Sequence, residues 1–335
     1  MAKLADVAEQ AGVSVSTVSR VINRPEMVDP DTRSQVESVL SEMDYRPSRV
    51  ARRLKNRGKA QILGVIIPDI QNPFYSEIVR GIEDVAYTRD YAVILCNSEE
   101  DPDREDFYLN VLHGESADGV ILPPLLRAGN SYASDIERYD FPIVCFDRRL
   151  PGDPVDTVVV DNRKGARQVT NHLLDLGHRS IGVICGPENL STSTERLEGY
   201  KQALRDHGVD VDERLIRMGP PHREAGHDHA GELFSLDDPP TAIFAANNQL
   251  CLGTLECARE RHLAIPSDIA IVGFDDAPWA KLLDPPLTTV RQPTYEIGKQ
   301  AAQRLFDRLD HPDSPPSLTT LDPTLCIRKS CGADE

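Results

Sequence analysis

The sequence predicts an α/β protein, in which a small all-helical head precedes two doubly wound parallel sheets forming a two-lobed core. Three observations predict it. Apolar runs alternate with amphipathic stretches over residues 62–146, and the alternation restarts near Val158 and continues to Gly273. Strands that alternate with helices build parallel sheets with right-handed crossovers. The first 46 residues show helical periodicity only. Between head and core lies RPSRVARRLKNRGK, residues 46–59, seven basic residues with no acidic one.

In the head, residues 4–11 predict a short helix with Leu4, Val7, Ala8 and Ala11 on one face. Gly12 follows, where the helix must stop and the backbone needs a positive φ. Ser14 can cap the next helix, residues 15–23, whose buried stripe is Val18, Val21 and Ile22. Small residue, glycine and branched residue at this spacing fit a helix-turn-helix. Asp29-Pro30 gives an N-cap followed by proline at the first helical position. Val36, Val39, Leu40 and Met43 form the stripe of a third helix.

If the second helix lies in a major groove, its exposed residues read the bases. Arg20 can donate to O6 and N7 of a guanine, Val15 can touch a thymine methyl, and Ser16 and Ser19 are adaptable. Ser14 and Thr17 suit phosphates, which position without specifying; Asn23 completes the candidate set. The alternative for Arg20 is a surface ion pair with Glu9 or Asp6.

Charge separates the segments. Through Lys59, eleven basic residues face eight acidic ones, a net +3 against -17 for the whole chain, so the remainder carries -20. A basic head on an acidic body confines polyanion contact to the head. Within the basic run, Val50 and Leu54 share a helical face, and an apolar side chain among cations can enter a minor groove as a wedge. A solvated basic linker is the alternative.

At 335 residues the chain should split into domains. Its seven cysteines form no CxxC pair, which argues for reduced thiols and against a thiolate metal site. The N-terminus lacks the apolar run of a signal peptide, and no stretch reaches the length of a membrane helix, so a cytoplasmic protein is expected. Enzymatic chemistry has little to stand on. There is no G-x-S-x-G, no P-loop and no Rossmann glycine motif. His222, His227 and His229 lack metal-ligand spacing and read as a surface loop. No metal and no cofactor are expected.

LADVAEQAGVSVSTVSRVIN followed by YRPSRVARRLK resembles the lactose/galactose-repressor family of bacterial transcription regulators, and the likeness runs to the C-terminus. The resemblance implies a helix-turn-helix DNA-binding domain at 1–46, a hinge at 47–59, and an effector-binding and dimerisation core at 60–335. It also implies a periplasmic-binding-protein-like core, with one lobe at about 60–160 and 291–322 and the other at about 161–290 and 323–335. It further implies that Leu54 from both subunits of a homodimer levers open a central base step and that Lys55 reads the minor groove. Arg49 and Arg52 belong to the same candidate DNA-contacting hinge.

Such sheets bind ligands beyond the carboxyl ends of their strands. Asp69 to Tyr75 follow the first strand, Asp147 and Arg148 the fourth, Asn247 and Asn248 the strand ending at Ala245, and Asp275 and Asp276 the last strong strand. Arg196 is expected to begin a helix, and Gln292 sits at a crossover. Carboxylates and amides can bind adjacent hydroxyls while Phe74 and Tyr75 cover a ring face. A buried arginine there needs a carboxylate neighbour, for which Asp147 or Asp275 could serve.

The core also resembles the ribose-binding-protein superfamily. By motif, the resemblance implies Asn72, Phe74, Tyr75, Asp147, Arg148, Arg196, Asn247 and Asp275 as effector contacts; Gln292 joins them. Asn248 stands where the family usually has Asp. NPFYSEIVRGIE and ILCNSEED are similar to ribose-operon repressors, which makes a pentose such as ribose the first ligand expectation. Asparagines after strands also cap helices, Phe74 reads equally as core, and Asp275-Asp276 reads as structural. The expected partners are a near-palindromic double-stranded operator, a small sugar-like effector and a second copy of the chain. The effector could induce or co-repress; a sugar-binding transport receptor is the remaining alternative.

Overall fold

The computed structural model describes residues 3–45, 60–125, 138–152 and 154–333. The chain divides into two compact units, Met1–Ala60 and Gln61–Glu335.

The first unit has three helices: α1 (Leu4–Gln10), α2 (Val15–Asn23) and α3 (Pro30–Glu42), with a 3-10 turn at Pro25–Met27. Gly12 takes φ 62°, the left-handed turn that separates α1 from α2. Ser14 caps α2 by accepting a hydrogen bond from Thr17 N, and Asp29 caps α3 from Thr32 N. Val7, Ala8, Ala11, Val18, Val21, Val36 and Val39 make the head's core.

The second unit holds two six-stranded sheets. The first runs β11-β5-β4-β3-β1-β2, comprising β1 (Ile62–Ile67), β2 (Ala92–Asn97), β3 (Gly119–Leu122), β4 (Ile143–Phe146), β5 (Thr157–Val160) and β11 (Leu318–Leu321). Its pairings are parallel. Helices α4 (Pro73–Thr88) and α10 (Thr294–Asp310) cover one face, and α5 (Pro102–Gly114) covers the other. Leu63, Val65 and Ile67 point to the first face and Ile66 to the second, so β1 reads as a continuous apolar run. A Cβ at Gly298 would collide with the Ile78 carbonyl, so this glycine sets how closely α10 approaches α4.

The second sheet runs β12-β10-β9-β8-β6-β7, comprising β6 (Ile181–Cys185), β7 (Ile216–Met218), β8 (Ala242–Ala245), β9 (Ala270–Phe274), β10 (Thr288–Arg291) and β12 (Thr324–Cys326). Only β12 is antiparallel to its neighbour. Helices α6 (Asn162–Asp175) and α7 (Ser191–Asp206) pack on one face, α8 (Arg223–Phe234) and α9 (Asn248–Glu260) on the other. Fully burying each Ile, Val, Leu or Phe of these layers contributes about 1.5–3 kcal/mol. The chain passes between sheets after β5, after β10 and after β11.

The histidine segment differs from its reading as a surface loop. His227 and His229 lie on α8 and His222 is its N-cap residue. The paired prolines Pro220 and Pro221 end before the helix, and Ala230 and Leu233 give it a buried face. Among the described residues no group of three metal-ligating side chains could hold an ion, and no helix is long and apolar enough to cross a membrane. The seven cysteines are free.

Candidate nucleic-acid face and ligand cleft

On the head, α2 presents Ser14, Val15, Ser16 and Arg20 to solvent, with Thr17 and Ser19 half-buried. Val15 is 45% exposed although apolar. Ser14 Oγ lies 2.7 Å from Ser16 Oγ and 2.8 Å from Thr17 Oγ1, so three hydroxyls crowd the helix N-terminus. A helix N-terminus attracts phosphate, because its free N–H groups and dipole are positive. Among the described residues no ion pair joins Arg20 to Glu9 or Asp6, and Arg20 is exposed. Asn23 ends α2. The hinge candidates Arg49, Arg52, Leu54 and Lys55 lie outside the described residues.

In the second unit, a cavity of about 180 Å³ opens between the two lobes at the carboxyl ends of the strands. Asn72, Phe74, Tyr75, Asp147, Arg148, Arg196, Asn247, Asp275 and Gln292 all line it. Phe74 and Tyr75 follow β1 as the second and third residues of α4, and their rings meet edge to face at 5.0 Å. Both are core and wall at once: each is under a tenth exposed and packs into the first lobe's core. Burial pushes the Tyr75 phenol well above its ordinary pKa, so its hydroxyl stays protonated.

Asp147 and Arg148 follow β4. Asp147 takes φ 62° and Asp275, after β9, takes φ 73°; Glu99 and Glu100 are also in the left-handed region, at 55° and 57°. Such backbone costs energy and is held in place by its surroundings. Arg148 is 4% exposed. Its carboxylate partner is Glu100, which accepts from Nη1 at 2.9 Å and Nη2 at 2.5 Å. Asp147, the neighbour expected from the sequence, lies 3.7 Å from Nε, and Asp275 makes no ion pair with Arg148. Arg148 Nε is buried and has no hydrogen-bond partner. Burial opposes the Arg148 charge, but Glu100 and Asp147 outweigh it and keep the guanidinium charged. Burial raises Asp147 to about 6, against the pull of Arg148 and Arg196.

Arg196 sits within α7, not at its start, because the helix begins at Ser191. Its Nε donates to Asn162 Oδ1 at 2.8 Å and its Nη1 to the Ala246 carbonyl at 2.6 Å, and the guanidinium lies 3.8 Å from the Phe274 ring centroid. It is a fixed strut whose charge faces the cavity. Asp275 accepts from Gln292 Nε2 at 2.6 Å, so these two polar walls hold each other.

Asn72 and Asn247 are helix caps, accepting from Phe74 N and Leu250 N, as asparagines after strands can. The Asp275-Asp276 pair divides. Asp275 faces the cleft, whereas Asp276 is bound by Arg291 and Arg328 and by Thr289. Asn248 does not line this cavity; it reaches across to Asn72 and lines a neighbouring cavity that shares Phe74, Asp275 and Gln292. A second bridge between lobes runs from Arg149 N to Ser191 Oγ at 3.0 Å.

The sequence reading did not assign Glu99, Glu100, Leu190, Thr192, Ser193 or His222 to the cleft, yet they also line the cavity. Glu99 and Glu100 follow β2, so the strand-end rule points to their segment but not to which residue meets Arg148.

Comparison with known proteins places these surfaces in context. The pattern "Bacterial regulatory proteins, lacI family" matches residues 3–48, and "Periplasmic binding protein-like domain" matches residues 170–331. The transcriptional repressor CytR of Escherichia coli K12 is 36% identical over 334 residues, covering 99% of this chain and 97% of that protein. The probable transcriptional regulator EndR of Paenibacillus polymyxa is 36% identical over 309 residues, covering 91% and 90%. The structure of the lac repressor dimer bound to operator and the anti-inducer ONPF superposes with a TM-score of 0.86 at 27% identity, covering 99% of each chain. A lacI-family regulator from Enterococcus faecium with bound ribose gives a TM-score of 0.71 at 30% identity, covering 80% of this chain and 98% of that one.

Proposed function

Because the chain belongs to the lacI family of bacterial regulatory proteins, we propose that it is a homodimeric transcriptional repressor whose operator affinity is set by a small uncharged sugar, with a pentose such as ribose first. One observation carries the effector class. The cavity sets the Phe74–Tyr75 aromatic pair beside a buried guanidinium whose Nε lacks a partner, among carboxylates and amides. An unpartnered buried donor costs about 1–3 kcal/mol, which a ligand hydroxyl would recover. Asp69, Glu99, Glu100, Asp147 and Asp275 face two arginines, Arg148 and Arg196, across the same wall. That excess of carboxyl groups disfavours phosphosugars and sugar acids. The ribose-bound neighbour supports a pentose.

The proposed DNA contacts are Ser14, Val15, Ser16, Thr17, Ser19, Arg20 and Asn23 in a major groove, with Arg49, Arg52, Leu54 and Lys55 of a 47–59 hinge at the operator centre. Paired hinge helices would form only over the duplex, since so short a helix is marginal alone. Leu54→Ala should reduce the operator bend, and an unchanged bend in a circular-permutation gel counts against the wedge. Dimerisation is supported by apolar side chains exposed on the edge strand β2, at Leu95, and on α5, at Phe107 and Val111; exposed apolar surface of this kind invites a partner.

Calorimetry on the full chain with ribose and ribose 5-phosphate, alongside gel shifts on its own promoter DNA, tests the reading. Ribose should bind and change the shift, and the phosphate should not. Binding of the phosphate in preference to ribose would overturn the effector class. Absence of any sequence-specific shift would overturn the repressor.

A further inference from the structure

We infer that Asp118 is a positioning residue for operator binding: with Gln61 it forms a mount that fixes the direction in which the 47–59 run joins the core, and so the half-site spacing that the protein accepts. The inference rests on reading 47–59 as a hinge between DNA-bound heads and a dimeric core, and adds what holds the core's end of that hinge. The two compact units meet in sequence at Ala60 and Gln61. Gln61 is the first residue of the core, and whatever orients it orients the chain that enters there.

Gln61 takes φ 57°, a left-handed conformation that residues other than glycine adopt rarely. Such backbone persists only where its surroundings impose it. Here the Asp118 carboxylate does so. Its Oδ2 accepts from Gln61 N at 2.6 Å and, more distantly, from Ile62 N at 3.4 Å. A hydrogen bond to a charged acceptor is roughly twice as strong as one between neutral groups. Asp118 N in turn donates to the Ile62 carbonyl at 2.8 Å, and on the opposite side Ala92 N donates to the Gln61 carbonyl at 2.9 Å. The residue at the boundary is thus gripped by its N–H and by its carbonyl.

Both grips are anchored in the first lobe. Asp118 follows the end of α5, where Ser116 turns the chain at φ 60° and Ala117 N donates to the Leu112 carbonyl at 2.9 Å. Leu112 and Ala117 are buried in the core on one face of the first sheet. Ala92 follows Tyr91, whose ring meets the buried Phe306 of α10 edge to face at 4.9 Å, on the other face. Through Gln61 the entering chain is therefore tied to both helix layers, and it can tilt only if one of them moves. One added base pair shifts a half-site by about 3.4 Å and rotates it by about 35°. Heads on fixed mounts cannot follow both changes.

The test starts from an operator selected by the full-length parent out of a randomised duplex library, then lengthened or shortened by one base pair at its centre. The parent should bind the altered spacings at least about tenfold more weakly. Asp118→Ala should narrow that ratio to about threefold or less, whereas Asp118→Asn, which keeps an oxygen acceptor for Gln61 N, should stay within about twofold of the parent's ratio. Gln61→Pro has no N–H and cannot take a positive φ, so it should narrow the ratio as Asp118→Ala does. A merely structural role would lower stability in urea and weaken every spacing equally. An unchanged ratio in Asp118→Ala, or in Gln61→Pro where that chain fails to fold, overturns the mount and spares the hinge. A parent that selects an operator yet binds all three spacings alike overturns the hinge reading, and the mount with it.

Discussion

Asn72 and Asn248 exchange hydrogen bonds across the cleft: Asn248 Nδ2 donates to Asn72 Oδ1 at 2.8 Å, and Asn72 Nδ2 donates to Asn248 Oδ1 at 3.3 Å. The pair is neutral and ties α4 of one lobe to α9 of the other. Asn248→Asp removes one donor and buries a carboxylate, at a residue 1% exposed, beside Asp275, which already sits 3.4 Å from Asn248 N. The helix N-terminus favours a negative charge by about 0.3–1 kcal/mol, whereas Asn72 Oδ1 keeps only its bond from Phe74 N and an unpaired carboxylate buried beside Asp275 costs several kcal/mol. The loss wins at pH 7. Burial raises the folded-state pKa of such an aspartate, so the penalty grows as pH rises through that value and fades on acidification. Urea unfolding at pH 7 and pH 5 checks it; a variant as stable as the parent at pH 7 would show that the bridge is unimportant.

The pH response of the parent should carry the mark of Asp147. Its folded-state pKa, about 6, lies above the unfolded value of about 3.9. Its contribution to stability is therefore complete below about pH 4 and is lost as pH rises through about 6. Asp147→Asn keeps the shape and removes this titration. The stability of the variant relative to the parent should rise by about 2–3 kcal/mol between pH 4 and pH 7, read from urea curves across that range. Parallel stability profiles would mean that Asp147 is already ionised throughout.

Asp276 works in the opposite sense. Burial would raise it, but hydrogen bonds from Arg328, Thr289 and Arg291 hold it down at about 2. Its stabilisation is present above the unfolded carboxylate value and fades only as pH falls toward 2. Arg291 is largely exposed and adds little. Arg328 is mostly buried, 2.7 Å from Asp276 and bonded to the Leu287 carbonyl. Asp276→Ala strands that guanidinium and should cost about 3–5 kcal/mol at pH 7. A loss under 1 kcal/mol, by equilibrium urea unfolding, would show that water relieves Arg328.

These groups show what a reader of the sequence can and cannot see. Asn72, Asp147, Asn247 and Asp275 were legible because each lies within five residues of the end of an apolar strand, and strand ends converge on one crevice. Glu100 was not. After β2 the run Ser98-Glu-Glu-Asp101 reads as a solvated acidic turn, and only the left-handed backbone at Glu99 and Glu100 brings Glu100 to Arg148. The separate fates of Asp275 and Asp276 were also hidden, since Arg328 reaches Asp276 from 52 positions away. β7 escaped because three half-buried residues, Ile216, Arg217 and Met218, leave no periodicity to read.

The head offers a test in which two neighbouring residues should fail differently. Ser14 is a cap: its Oγ accepts from Thr17 N at 3.1 Å, and Ser14→Ala should cost the head about 1 kcal/mol. Operator binding would weaken through that loss, equally for every base at every position. Arg20 is exposed on α2, and among the described residues no carboxylate competes for it. A guanidinium so placed can address the two acceptors of one guanine, so Arg20→Ala should cost about 1–3 kcal/mol and relax preference at a single base pair. Binding each variant to a library of operators with one position randomised at a time separates the two. Uniform weakening by Arg20→Ala would make it a phosphate contact instead, and the slope of log affinity against log salt would then fall by about one.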